Sequence, residues 1–169
     1  MKPIIILTGP AASGKNTIGH LYATEFCERG AVIDVDAVRW MLRKPHAAPW
    51  DGQEGLLQHR LGARHACILA KSFVDEGCEV IILDVVWADL PQLYREQFAE
   101  YPAQIVRLMP SWDESRRRLH ERTHTISDTE ARWVYDQQVA LKEFDHNLDN
   151  SHIPAQEAAA WLASLNGGA

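Results

Sequence analysis

The stretch Gly9-Pro10-Ala11-Ala12-Ser13-Gly14-Lys15-Asn16-Thr17 decides the fold, because it follows an apolar run and opens a segment of helical periodicity. Glycines allow backbone angles that turn successive N–H groups inward, where they can bind phosphate oxygens. A helix that begins near Gly14 adds the positive end of its dipole. Lys15 would place its charge on the β- and γ-phosphates of a nucleotide. The stretch therefore predicts a phosphate-binding loop, and the alternative is a glycine-rich turn that binds nothing. Its predicted nucleotide-binding residues are Gly9, Ala11, Ala12, Ser13, Gly14, Lys15, Asn16 and Thr17.

Asn16 occupies the position where such loops usually carry Ser or Thr, whose hydroxyl binds Mg²⁺. Thr17 follows, but one residue along a helix is a rotation of about 100°, so its side chain is expected to point elsewhere. An Asn carbonyl could hold the ion through water, since Mg²⁺ keeps several of its waters. The sequence leaves open whether Asn16 weakens or reroutes Mg²⁺ binding.

Apolar runs of strand length recur along the whole chain, separated by segments of helical period. The runs are Pro3–Thr8, Ala31–Val35, Val80–Val86, Gln104–Leu108 and, more weakly, His146–Leu148. Four of them are rich in Ile, Val and Leu without alternation, as expected when helices cover both faces of a parallel sheet. Strand followed by helix about five times predicts a single α/β domain over residues 1–169, with right-handed crossovers.

The segments between the runs carry helix signals. One helix is expected to end at Gly77, with His59 and His65 on its surface. Its expected buried face carries Leu57, Leu61, Ile68 and Leu69. Further signals are the apolar stripes Ile18/Leu21/Tyr22/Phe26 and Leu90/Leu93/Tyr94/Phe98, capping boxes at Ser111–Glu114 and Ser127–Glu130, and a last helix from Pro154 to the residue before Gly167-Gly168.

Composition excludes several classes of protein. Hydrophobic residues make up 46% of the 169 residues and charged residues 24%, which is typical of a globular domain. A net charge of −6 argues against a nucleic-acid partner, and no apolar run approaches the roughly 20 residues that span a membrane. The three cysteines, Cys27, Cys67 and Cys78, are expected to be buried thiols in a reducing cytoplasm. Whether the protein is a monomer or a homodimer stays open.

The phosphate loop and the order of elements resemble those of the small P-loop kinases related to nucleoside monophosphate kinases. Within that superfamily the chain is most similar to the shikimate, gluconate and chloramphenicol phosphotransferase branch. The resemblance implies a three-layer fold with a five-stranded parallel sheet of order 2-3-1-4-5, helices on both faces and a small lid, here at about residues 116–132. It also implies ATP and Mg²⁺ as cofactors. Adenylate kinases of the superfamily likewise lack the hydroxyl after the lysine, so Asn16 does not by itself imply an inactive protein.

Acidic residues follow two of the predicted strands. In the similar families an acidic residue at the position of Asp36 orients the acceptor hydroxyl and accepts its proton, and Asp34 would lie nearer the waters of the metal. Either residue could instead be a helix N-cap. Val80–Asp84 resembles a Walker B element, in which Asp84 would hold a metal-bound water or contact the acceptor; the alternative is a loop cap.

Arginines mark the predicted lid. Arg118 and Arg122 have the spacing at which similar kinases stack one arginine on adenine and bring the second to the phosphates, and Arg132 could be the second arm of the lid. The alternative is a solvated helix face paired with nearby carboxylates. The segment Asn150–Pro154 resembles the loop that lies near adenine in the family.

Candidates for binding the acceptor are Arg39, Trp40, Arg43, Trp50, Asp51, Trp87 and Asp89. Two arginines would suit a phosphate or carboxylate, whereas tryptophans and aspartates would suit a hydroxylated or cationic small molecule. Trp40 and Trp87 could instead pack in the core. The expected function is ATP-dependent transfer of the γ-phosphate to a hydroxyl of a small metabolite or antibiotic, with Lys15, Asp36 and Arg122 catalytic. The alternatives are a nucleoside monophosphate kinase and a non-catalytic nucleotide sensor.

Overall fold

Five parallel strands form one sheet in the order β2-β3-β1-β4-β5 in this computed structural model, which describes residues 2–123 and 126–165. The strands are β1 (Ile4–Thr8), β2 (Gly30–Asp34), β3 (Glu79–Leu83), β4 (Ala103–Leu108) and β5 (His146–Leu148). The predicted strand order is confirmed. The predicted Val80–Val86 strand ends earlier, at Leu83, because the next residues leave the ladder and turn their polar groups into the site described below.

Seven helices connect and flank the strands in the described part of the chain. They are α1 (Lys15–Glu25), α2 (Val35–Arg39), α3 (Gly52–Asp75), α4 (Leu90–Gln97), α5 (Trp112–His120), α6 (Asp128–Ala140) and α7 (Ala155–Leu165). Ser111 caps α5, and Ser127 forms a complete capping box with Glu130 at the start of α6, as the sequence predicts. Gly167 and Gly168, which were expected to follow the last helix, lie outside the described residues.

Alternate residues of β1 point into two separate apolar layers. Ile4 and Ile6 pack with residues of α3 and α4, whereas Ile5 and Leu7 pack with residues of α1 and α7. A central strand that is buried on both faces explains why its sequence is apolar without alternation. Within residues 2–123 and 126–165, no helix combines the length and the apolar composition needed to cross a bilayer.

The predicted orientation of α3 is wrong. Ile68 is 60% exposed and Leu57 57% exposed, whereas His59, which was expected on the surface, is only 1% exposed. The buried face consists mainly of small residues: Gly55, Gln58, His59, Gly62, Ala63, Ala66, Cys67, Ala70 and Val74. The helix packs so closely against its neighbours that a Cβ on Gly55 would lie 2.1 Å from the carbonyl oxygen of Ala48. Close packing, rather than the size of the apolar side chains, therefore decides which face is buried.

Candidate active site

A cavity of about 850 Å³ opens at the carboxyl ends of β1, β2 and β3, where parallel sheets of this kind bind ligands. It brings together many of the residues that the sequence predicts for the site: Ala11, Ala12, Lys15, Asn16, Asp34, Asp36, Arg39, Trp40, Trp50, Asp51, Asp84 and Arg122. His46 and His59, which the sequence analysis did not predict for the site, also line it.

The loop between β1 and α1 has the backbone shape of an anion-binding nest. Ala12 and Gly14 have positive φ values of 59° and 92°, and α1 begins directly afterwards at Lys15. Gly9 admits no side chain, because a Cβ there would lie 2.5 Å from the carbonyl oxygen of Leu108. The first-turn amides of a helix have no partner within the helix, so this loop can bind a phosphate group.

Lys15 lies at the centre of this loop. Its Nζ donates hydrogen bonds to the carbonyl oxygens of Gly9 (3.0 Å) and Pro10 (3.2 Å). Burial lowers the pKa of the Lys15 ammonium to about 8, although the carboxylates of Asp36 and Asp84 act in the opposite direction. Because burial disfavours the charged form of Lys15, an anion that enters the cavity would be attracted to this ammonium group and would stabilise its charge.

Asp34 caps the short helix α2, as one of the two roles expected for it requires. Its Oδ1 accepts a hydrogen bond from the backbone N–H of Asp36 (2.9 Å), and its Oδ2 lies 3.4 Å from the side-chain nitrogen of Asn16. A carboxylate and a side-chain amide at the mouth of a phosphate loop are oxygen donors that Mg²⁺ accepts, directly or through its waters. These two residues fit an ion bound to nucleotide phosphates. No group of three or more His, Cys, Asp or Glu side chains in the described residues could hold a metal by itself.

Asp36 projects into the cavity with 65% of its side chain exposed. Its Oδ1 accepts a hydrogen bond from Nη1 of Arg39 at 2.9 Å. Nη2 of Arg39 donates to the carbonyl oxygen of Ala47 at 2.7 Å, and the Arg39 side chain is only 5% exposed. The arginine that the sequence offers as an acceptor ligand therefore has both terminal nitrogens bonded within the protein.

Asp84 lies on the floor of the cavity in a buried network. Its Oδ1 accepts hydrogen bonds from His59 Nε2 and the backbone N–H of Val85, each at 2.7 Å, and its Oδ2 accepts from the Tyr94 hydroxyl at 2.7 Å. Burial would raise the pKa of the Asp84 carboxyl, but these contacts outweigh it and hold the pKa below its usual value. Three of the roughly four lone-pair positions of the Asp84 carboxylate are thereby occupied, which leaves little capacity to bind a metal directly.

The tautomer of His59 follows from its second neighbour. The indole N–H of Trp87 can only donate, and it points at Nδ1 of His59 at 3.4 Å. Nδ1 is then the acceptor, and Nε2 carries the proton that is donated to Asp84. No motif marks His59 in the sequence. The sequence feature that could have identified His59 is the row of glycines and alanines on the same face of α3. That face is the one that the structure buries.

Aromatic side chains form the outer wall of the cavity. Trp40 stacks on His46 with ring centroids 3.6 Å apart and remains 56% exposed, so it is not a core residue. Trp50 meets Trp133 edge-on at 6.4 Å, and Trp133 meets Trp87 at 4.9 Å. Trp87 is buried and lies behind the cavity lining, as the core-packing alternative has it.

The predicted lid arginines have three different environments. Arg122 lines the cavity and is exposed. Arg118 pairs with Glu114 and donates to the carbonyl oxygens of Asn150 (2.8 Å) and Ser151 (3.0 Å), which connects it to the loop after β5. Arg132 pairs with Asp136 at 2.9 Å outside the cavity lining.

Three further predicted residues lie away from the cavity. Arg43, Thr17 and Asp89 are exposed and do not line it, and Asp89 is paired with Arg60. Residues 124 and 125 of the predicted lid lie outside the described part of the chain.

Solved kinases share this fold. The APS kinase CysC of Mycobacterium tuberculosis, in complex with AMPPNP and APS, aligns with a TM-score of 0.72 at 18% sequence identity, covering 99% of this chain and 98% of that chain. The tunicamycin resistance protein of Deinococcus radiodurans aligns with a TM-score of 0.72 at 17% identity, covering 100% and 98%. The shikimate kinase of Bacteroides thetaiotaomicron aligns with a TM-score of 0.65 at 17% identity, covering 98% of each chain. At such identities the likeness shows the fold alone.

The sequence itself assigns the chain to a family. No curated protein matches it. The chloramphenicol phosphotransferase-like family matches residues 2–166, which is nearly the whole chain and includes the phosphate loop and every strand. This protein therefore belongs to the chloramphenicol phosphotransferase-like protein family.

Proposed function

We propose that the protein is an ATP-dependent phosphotransferase that moves the γ-phosphate to a hydroxyl group of a small molecule. One observation carries the proposal: the phosphate loop with Lys15 and the exposed carboxylate of Asp36 face the same cavity. Phosphoryl transfer needs a cradle for the phosphates and a carboxylate that orients the acceptor hydroxyl, and this cavity offers both.

Each residue of the site has a proposed role. Lys15 and the loop amides bind the β- and γ-phosphates, and Asp36 orients the acceptor hydroxyl and accepts its proton as the phosphoryl group departs from the nucleotide. Arg122 closes over the γ-phosphate and excludes water. Asn16 and Asp34 would hold Mg²⁺ through its waters, and such an ion would supply positive charge beside the phosphates. Arg118 and the loop after β5 form the adenine end of the site, and residues 116–132 form the lid of a single kinase domain.

The walls of the acceptor half favour an uncharged or cationic hydroxyl compound. The acceptor half is the part of the cavity that is lined by Trp40, Trp50 and Asp51. The arginines that a phosphorylated acceptor would need are either hydrogen-bonded within the protein or absent from the cavity lining. Arg39 is bonded to Asp36 and Ala47. In a nucleoside monophosphate kinase, Arg39 and Arg43 would bind the phosphate of the acceptor. Arg39 is hydrogen-bonded within the protein and Arg43 does not line the cavity, which disfavours this alternative.

The test is transfer of labelled γ-phosphate from Mg-ATP to a panel of acceptors. The panel holds chloramphenicol, aminoglycosides, shikimate, gluconate and nucleoside monophosphates, and we expect transfer to an uncharged or cationic hydroxyl compound. Tight ATP binding with no transfer to any member would instead favour a nucleotide sensor. Transfer only to shikimate, gluconate or nucleoside monophosphates, all of which are anions, would overturn the proposed acceptor class.

Two variants assign the roles. Asp36→Asn is expected to lower kcat by about 100-fold or more with little change in ATP affinity, because it removes the proton acceptor and keeps the shape. Asp113→Asn on the exposed start of α5 is the matched control and should leave kcat unchanged. Equal losses of kcat and ATP affinity in Asp36→Asn would give Asp36 a structural role only. We also propose a cytoplasmic location, which the need for ATP and the three free cysteines support.

A further inference from the structure

Arg39 connects the proposed proton acceptor to the wall of the acceptor half. Its guanidinium donates from Nη1 to Asp36 and from Nη2 to the carbonyl oxygen of Ala47. The N–H of Ala47 in turn donates to Oε1 of Gln58 at 2.9 Å, so both backbone groups of Ala47 are bonded. Asp36 is therefore fixed to a segment that α3 also holds.

Gly62 on α3 makes this arrangement sterically possible. A Cβ at Gly62 would lie 2.4 Å from Cγ and 3.2 Å from Cδ of Arg39. A contact of 2.4 Å between carbon atoms is far inside van der Waals distance, so any side chain at this position must displace the arginine stem. The path of Arg39 from α2 to Asp36 thus depends on a residue 23 positions away in the sequence.

We infer that Arg39 is a positioning residue that holds the Asp36 carboxylate in the orientation required for transfer, and that Gly62 is the residue that admits it. The inference rests on the proposed function of Asp36. The carboxylate is largely exposed and lies on a helix of five residues, so without a partner it would sample several rotamers. Arg39 is buried, and its planar guanidinium donates to Asp36 and Ala47 from two nitrogens in a fixed geometry, whereas a lysine would donate from a single freely rotating ammonium.

Positioning predicts a specific kinetic pattern. Loss of the Arg39 contact should lower kcat and leave ATP affinity unchanged, because the hydrogen bonds of Arg39 within the described residues go to Asp36 and Ala47 and not to the phosphate loop. A residue that only binds the acceptor would instead raise the acceptor KM at constant kcat. The split between kcat and KM therefore separates the two roles of Arg39 that the sequence allows.

The experiment is a double-mutant cycle of Arg39→Met and Gly62→Ala, with Gly30→Ala as the control. Gly30 is the first residue of β2, and a Cβ there meets the carbonyl oxygen of Ala23 rather than Arg39 or its partners. Turnover is measured with Mg-ATP and the member of the acceptor panel that is phosphorylated. We expect each of Arg39→Met and Gly62→Ala to lower kcat by about 100-fold, and the double variant to fall no further. Gly30→Ala should add its own effect to that of Arg39→Met.

The inference is overturned if the loss of kcat in the double variant equals the product of the two single losses. It is also overturned if the variants change only the KM for the acceptor. Urea denaturation checks that every variant is folded.

A second measurement does not depend on turnover. Arg39 held at both terminal nitrogens should show slowly exchanging guanidinium N–H signals in ¹⁵N–¹H NMR spectra, and these should collapse in Asp36→Ala and in Gly62→Ala. Signals that persist in both variants would overturn the contact itself. A protein that transfers no phosphate while these signals behave as expected would overturn the proposed function and leave the Asp36–Arg39–Gly62 geometry standing.

Discussion

Nucleotide binding should draw a proton from solution at mildly alkaline pH, because of the environment of Lys15. Burial lowers the pKa of its ammonium to about 8 in the free protein. Phosphates that arrive beside Nζ stabilise the charged form, so binding raises this pKa. In the window between the two values the free protein carries a neutral lysine and the complex a charged one, and the difference is a proton taken up.

The size of the effect follows from the pKa of the free protein. With a value of about 8, about three-quarters of the molecules carry neutral Lys15 at pH 8.5 and about one-tenth at pH 7. Binding should therefore take up about 0.75 proton at pH 8.5 and about 0.1 at pH 7. The apparent affinity should fall about fourfold between these two pH values, since the protein must first be protonated.

Isothermal titration calorimetry with AMPPNP measures this directly. Binding enthalpies in buffers of different ionisation enthalpy give the number of protons, and Lys15→Met, which keeps the length and removes the charge, is the control. The reasoning is refuted if the wild-type protein takes up no proton at pH 8.5, or if Lys15→Met takes up as many.

Three further predictions concern the core around the site. His59→Leu removes one of the three hydrogen bonds to the buried Asp84 carboxylate, so urea denaturation should show a loss of about 1.5–3 kcal/mol in the free energy of unfolding; a loss below about 1 kcal/mol would contradict the network. Ile68→Ser on the exposed side of α3 should change stability by less than about 0.5 kcal/mol. Ala66→Leu on its buried side should cost about 1–3 kcal/mol, and the reverse order would mean that α3 faces the other way. Burial raises the pKa of the Cys67 thiol to about 12, so mass spectrometry should find it modified by thiol reagents only after unfolding; rapid labelling of the folded protein would contradict its burial.

The sequence predicts those parts of the molecule whose cause is local. Gly9, Gly14 and Lys15 identify the phosphate loop in the sequence, because the allowed backbone angles and the charge are properties of single residues. The strands are likewise visible as short runs between helical segments, although the run of β5 is weakly apolar. The order of the strands in the sheet is predicted by the resemblance to known kinases and not by periodicity. Ser127 and Glu130 fix the start of α6 within four residues.

The orientation of α3 and the function of Arg39 could not be predicted in this way. Apolar periodicity identifies the helix face that carries large apolar side chains. The buried face of α3 instead carries mainly glycine and alanine, which allow the helix to pack closely against its neighbours. The spacing of Asp36 and Arg39 allows an ion pair within α2, and equally allows both to face an acceptor. The glycine that decides between these arrangements, Gly62, is contributed by α3 and is adjacent only in the folded protein.

The contact of three indole rings gives the protein a built-in optical reporter. Trp50 lines the cavity, Trp133 belongs to α6, and Trp87 is buried. Rings whose centroids lie 4.9 and 6.4 Å apart couple their excited states, so the near-ultraviolet circular dichroism signal arises from the three rings together. A ligand that stacks on Trp50 would therefore change a signal shared with α6, and its binding can be followed without any label.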